Sequence, residues 1–157
     1  MLSGRAFAIS ATAVGGLALL HALLTWSVHA VVALFISGAC FAFIAEWIAI
    51  RYRLLEHHVG PTIGSVPVYL LFAWPGTIYI AFRVALVLTD GWYAVLLCAI
   101  IATGYDLLTD HYGVEAGNWS YSDRIPGPVY KGVPWWNYAG WFTISVATAT
   151  IGLIAVG

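Results

Sequence analysis

Residues 29–50 read HAVVALFISGACFAFIAEWIAI. As an α-helix this run rises about 33 Å, enough to cross a hydrocarbon core of about 30 Å. Its one Asp, Glu, Lys or Arg is Glu46, about a turn from the end. Apolar residues occupy all faces, so overall hydropathy decides the reading, and it reads as a membrane span. The same criterion gives spans at about 6–24, 66–88, 92–108 and 135–156. The expected fold is an all-α integral membrane protein of five transmembrane helices, with residues 1–157 forming a single membrane domain.

Composition agrees. Of 157 residues, 62% are hydrophobic and 8% are charged, against about 25% charged in a soluble domain. So few charges cannot clothe a globule in water, which excludes a soluble enzyme or a disordered chain. A net charge of -1 gives nothing to a phosphate backbone, so no nucleic-acid partner is expected. Membrane lipid is the expected surrounding. Cys40 and Cys98 fall deep in the second and fourth spans and read as small packing residues.

Five spans put the termini on opposite sides. Arg5, Arg51, Arg53, Arg124 and Lys131 all fall on the N-terminal side, and Arg83 alone lies elsewhere. This bias places the N-terminus in the cytoplasm and the chain in the cell membrane, with an uncleaved first helix. Arg83 is expected to snorkel outward. The very short link around 25–28 predicts that the first two spans pack as an antiparallel hairpin. Asp90-Gly91 marks a second tight turn.

Acids inside spans are costly, roughly 2.5–3.5 kcal/mol each at mid-span, so their positions inform. Glu46 and Asp106 lie about one turn inside the same membrane face. Asp110 follows Asp106 by one helical turn on the same side of its helix. The long loop with Glu115, Asn118, Trp119, Tyr121, Asp123 and Arg124 arrives there too. Pairing with Arg51, Arg53 or Arg124 would explain any one acid. Three acids converging suggest a site. His57, His58 and His111 share that side, but no metal-ligand spacing, nucleotide loop or nucleophile elbow is present, and no metal is expected.

Residues 60–67, Gly-Pro-Thr-Ile-Gly-Ser-Val-Pro, match residues 127–134, Gly-Pro-Val-Tyr-Lys-Gly-Val-Pro, as G-P-x-x-x-x-V-P, 67 residues on. Each copy follows a span ending in carboxylate and precedes another span. Parallel repeats of helix pairs, related by an axis along the membrane normal, would frame a central cavity. Aromatics crowd the same side: Trp119, Tyr121, Tyr130, Trp135, Trp136, Tyr138 and Trp141. Some belong to the interfacial belt, while two or three are expected to line a site, where ring faces stabilise cations.

The block Gly-Tyr-Asp106-Leu-Leu-Thr-Asp110, then Gly117-Asn-Trp119-Ser-Tyr121, then Gly132-Val-Pro134-Trp-Trp-Asn137-Tyr-Ala-Gly140-Trp141 resembles the membrane carotenoid biosynthesis proteins. These include the 1,2-hydratases of lycopene, γ-carotene and bisanhydrobacterioruberin. Glu46 and the segment 60–67 fit the same pattern upstream. The chain departs from it in having fewer spans and in His111 after Asp110, where proline is usual. The resemblance implies hydration of a terminal isoprene double bond of a linear carotenoid, with no cofactor. Asp106 would be the acid, Asp110 or Glu46 the base, and Asn137 would orient water. Trp119 and Trp136 would shield the cation, with Tyr121, Trp135 and Trp141 lining the substrate. Isomerisation or cyclisation of a polyene would suit the same residues.

Two rivals stand beside this reading. A carotenoid- or lipid-binding subunit or small transporter half would suit the short length. A magnesium-dependent prenyltransferase would use Asp106-x-x-x-Asp110 on a diphosphate, but only Arg124 and Lys131 lie near and no second acidic motif is found. A five-span unit leaves room for a second copy or a partner subunit to close its cavity.

Overall fold

The computed structural model describes residues 3–157. Five helices, each long and apolar enough to cross a membrane, make up most of the described chain: α1 (Gly4–Thr25), α2 (Val28–Arg51), α3 (Leu70–Leu88), α4 (Gly91–Glu115) and α5 (Trp135–Val156). Exposed Leu, Ile and Val side chains cover their outer faces, as lipid-facing surfaces require. Ser3 and Ser27 cap α1 and α2, each hydroxyl accepting from the amide three residues on at 3.3 Å.

Two boundaries differ from the hydropathy reading. The third helix begins at Leu70, because Val66 and Pro67 belong to a short strand. The fourth does not stop near Leu108 but continues to Glu115. Its polar last turns stay helical because they pack inward, burying His111 and Gly113. Asp110 is therefore a helix residue.

The expected pairing of the first two spans is also revised. The main partner of α1 is α3, with only slight contact to α2. The reason is steric. A Cβ on Gly15 would collide with the Phe72 carbonyl, and one on Gly76 would come within 2.7 Å of Gly15 Cα. Two glycines let these backbones touch, the usual route to close packing in lipid.

Helices α2, α3, α4 and α5 form a closed ring, each packed on its two neighbours. The links α2–α3 and α4–α5 have the same design. Each carries one strand, β1 (Leu55–His57) or β4 (Trp119–Tyr121), then a two-residue hairpin, β2 (Thr62–Ile63) with β3 (Val66–Pro67) or β5 (Val129–Tyr130) with β6 (Val133–Pro134). Both hairpins turn through two left-handed residues, Gly64-Ser65 and Lys131-Gly132.

The repeat extends into the helices. The α2 end closes with Leu54 N donating to Ala49 O at 2.8 Å and Arg53 N to Ile50 O at 2.9 Å. The α4 end closes with Asn118 N to Gly113 O at 2.9 Å and Gly117 N to Val114 O at 3.0 Å. Arg53 (φ 56°) and Gly117 (φ 70°) are the left-handed residues of these paired caps. They stand 64 residues apart, as do Glu46 and Asp110, and His57 and Tyr121.

Strands β1 and β4 pair antiparallel, with Glu56 opposite Ser120, its own equivalent. His58 N donates to Asn118 O at 2.8 Å and Ser122 N to Leu54 O at 2.9 Å, again equivalent contacts. A pseudo-two-fold axis thus passes through this ribbon. Trp74 of α3 and Trp141 of α5, equivalent in the hairpin register, stack across it with ring centroids 4.1 Å apart. Helix α1 has no counterpart and packs on the outside of the ring.

Candidate functional site

Beneath the β1–β4 ribbon lies a cavity of about 280 Å³. Phe7, Ser10, Ala11 and Val14 of α1 form one wall, and Tyr105, Asp106, Thr109 and Asp110 of α4 another. Glu46, His57, Trp119, Tyr121, Asn137 and Trp141 complete its polar and aromatic end, together with Tyr69 and Trp74.

The three acids are each held by a hydrogen-bonding neighbour. Asn137 Nδ2 donates to Asp106 Oδ2 at 2.8 Å. Tyr121 OH donates to Asp110 Oδ2 at 2.8 Å. His57 Nε2 lies 2.8 Å from Glu46 Oε2, with the two side chains only 5% and 6% exposed. A carboxylate can only accept, so Nε2 supplies the hydrogen, and His57 Nδ1 is left buried without a partner. Among the described residues no arginine or lysine forms an ion pair with any of the three acids. Helix-end pairing therefore does not account for them.

The pseudo-symmetry explains half of this arrangement. His57–Glu46 and Tyr121–Asp110 are equivalent pairs, one from each repeat. The other half breaks the symmetry. Asp106 corresponds to Ala42 and Asn137 to Leu70. One repeat thus adds a second polar pair where the other offers a methyl group and an isobutyl group.

Aromatic faces surround the acids. Trp119 packs on Phe7, centroids 5.5 Å apart, and lies 6.0 Å from the His57 ring. Gly113 leaves the space its indole fills. Burial lifts the Tyr121 phenol well above its ordinary value of 10.0, and the charge of Asp110 lifts it further. The Tyr69 phenol, whose buried hydroxyl has no partner, is raised by burial first and then by Glu46 and Asp110. Both stay neutral donors across the physiological range.

Of the nine residues singled out in the sequence, Glu46, Asp106, Asp110, Asn137, Trp119, Tyr121 and Trp141 line this cavity. Trp135 and Trp136 do not. The Trp135 indole is half exposed and donates to Pro126 O at 3.2 Å. Trp136 supports the site from behind, edge-on to Tyr121 at 5.5 Å. Asn137 lines the cavity with one amide hydrogen given to Asp106. His57, Tyr69 and Trp74 carried no sequence signal strong enough to single them out; the 67-residue register visible in the sequence pairs His57 with Arg124, and only the 64-residue register of the structure matches it to Tyr121.

Elsewhere, Arg83 lies over the Trp26 ring at 5.6 Å, and Lys131 Nζ reaches His111 Nε2 at 3.2 Å. Among the described residues no three His, Cys, Asp or Glu side chains gather to hold a metal ion.

A family model described as carotenoid biosynthesis protein matches residues 6–157. No curated protein and no solved structure matches the chain. Five membrane-spanning helices around a buried acid-and-aromatic cavity, with a family match covering nearly the whole length, place this chain in the carotenoid biosynthesis protein family.

Proposed function

We propose that the chain hydrates a terminal isoprene double bond of a linear carotenoid. The observation that carries this reading is the Asp106–Asn137 pair, a buried carboxyl held at 2.8 Å at the polar and aromatic end of the cavity. Hydration needs an acid that can protonate carbon. Asp106 delivers its proton to the less substituted carbon of the double bond, and the more substituted carbon becomes a tertiary cation. The faces of Trp119, Trp74 and Trp141 stabilise that cation by their quadrupoles, an effect of about 2 kcal/mol or more per ring when desolvated.

Water then adds to the cation. Glu46 and His57 are the base: Glu46 fixes the imidazole through Nε2, and Nδ1 accepts the proton that water loses. The hydroxyl joins the tertiary carbon, and proton return from the base to Asp106 closes the cycle. Asn137 keeps Asp106 oriented. Asp110, tethered by Tyr121, is the second carboxyl facing the cation. Residues 51–65 and 116–134 lie on the cytoplasmic side in this reading, so water and protons reach the acids from there.

The test is expression in a lycopene-accumulating bacterial host with mass spectrometry of the pigments. A new species heavier by one water, absent with Asp106→Asn, is expected. Unchanged lycopene beside verified, membrane-inserted protein would refute hydration of that substrate.

A further inference from the structure

The cavity is too small for the molecule it is proposed to act on. At about 30 Å³ per water-sized group, 280 Å³ holds about nine such groups, close to two isoprene units. A full-length carotenoid is several times larger, so the rest of it must lie outside, and the walls show where.

Helices α1 and α4 each pack on α3, on either side of the cavity, and no extensive interface joins α1 to α4. Three cavity residues along this seam are exposed rather than enclosed: Ser10, Val14 (52%) and Tyr105 (56%). Val14 stands at the middle of α1, about 15 Å from either end by helical rise. At that depth the surroundings are hydrocarbon, not water. The floor between the two helices is Ala73 and Thr77 of α3, both small. The opening is therefore a slot facing lipid, continuous at its inner end with the acids.

We infer that a linear polyene enters sideways from the bilayer through the slot between α1 and α4, seats only its terminal isoprene units against Asp106, and leaves its remaining length along Ser10, Val14 and Tyr105. The inference rests on the carotenoid reading of the same cavity, but not on hydration being the reaction. It gives α1, the helix outside the repeat, a purpose: it is one jamb of the slot. It also makes the protein selective for narrow acyclic ends, since a ring must pass between two helices.

The test uses the purified full chain in detergent. Lycopene binding is followed by quenching of tryptophan fluorescence, beside a ten-carbon acyclic isoprenoid hydrocarbon with the same end group, read by its competition. Ser10→Phe and Val14→Phe narrow the slot, and Leu17→Phe, exposed on α1 but not lining the cavity, is the control. Monodisperse elution and unchanged circular dichroism establish folding. The slot variants should weaken lycopene binding roughly tenfold or more, the scale of one misplaced apolar group, weaken the short ligand by clearly less, and leave the Leu17→Phe control at wild-type affinity. Wild-type lycopene affinity in both folded slot variants would overturn the inference. So would equal loss of both ligands, which would put residues 10 and 14 in the seat itself, and so would absence of saturable lycopene binding by the wild type. Saturable, slot-dependent binding without hydrated product would refute the hydratase reading and leave the slot standing.

Discussion

Gly113→Ala isolates the packing that holds Trp119 at the site. Adding a Cβ to an exposed helical glycine stabilises by about 1 kcal/mol. Here the new methyl would fall onto the Cζ2, Cη2 and Cε2 atoms of the Trp119 indole. The indole cannot retreat freely, because β4 is paired to β1 and the ring is packed on Phe7. A tryptophan buries about 150–250 Å². Expelling roughly half of that costs about 2.5 kcal/mol at 25 cal/mol per Å², so a net loss of about 1.5 kcal/mol is expected. The first repeat provides the control. Ala49 and Leu55 occupy the positions equivalent to Gly113 and Trp119, and they share a buried cluster. Gly113→Ala with Trp119→Leu copies a pair that already fits in this fold, so the double variant should recover stability, with a coupling of about 1–3 kcal/mol. Reversible detergent unfolding of the four proteins measures it. A Gly113→Ala protein at least as stable as wild type, or additive effects in the cycle, would refute the reasoning.

Other predictions follow from the polar pairs. Asp106→Asn keeps the side-chain shape but removes the proton, so turnover should fall about 10²–10⁴-fold with pigment binding retained, measured by product yield and quenching together. Asn137→Leu copies Leu70 of the other repeat and removes a hydrogen bond to a carboxyl. Turnover should drop by about ten- to a hundredfold, and Asn137→Gln should recover part of it. His57→Gln keeps a donor for Glu46 but loses the ring nitrogen that takes the proton, so its loss should appear in kcat more than in KM. Tyr121 has a raised phenol in the folded state, so its neutral form adds stability that is fully present below the ordinary value of 10.0 and is lost as pH rises above it. Tyr121→Phe should therefore flatten the alkaline fall in Tm, read from thermal scans at successive pH values; an unchanged fall would count against that burial.

The five spans were legible because hydropathy over a window needs no tertiary knowledge. The end of α4 was not, because Thr109, Asp110 and His111 look like the start of a loop to any local measure. Only packing against the ribbon and Lys131 shows why the helix continues there. The hairpin half of the repeat was visible in G-P-x-x-x-x-V-P. The helical half was hidden, because the loop after β4 is longer than the loop after β1. That shifts the register from 64 to 67 residues and obscures the match between Glu46 and Asp110. The convergence of the acids followed from topology and span ends alone. The separation of Trp135 and Trp136 from the cavity could not follow, since successive residues of a helix point about 100° apart and hydropathy gives no rotation about the axis.

The β1–β4 ribbon also fixes an order of events in the making of the protein. Its two strands come from links separated by a whole helical pair, so it cannot close until α4 has been synthesised and inserted. Asn137 and Trp141, on α5, arrive later still. For an interval during translation, then, Glu46, Asp106 and Asp110 are already at the membrane without the complete set of partners that later shelters them. Until the fifth helix docks, Asp106 lacks the Asn137 amide that holds it, and gaining that hydrogen bond favours the last span joining the ring.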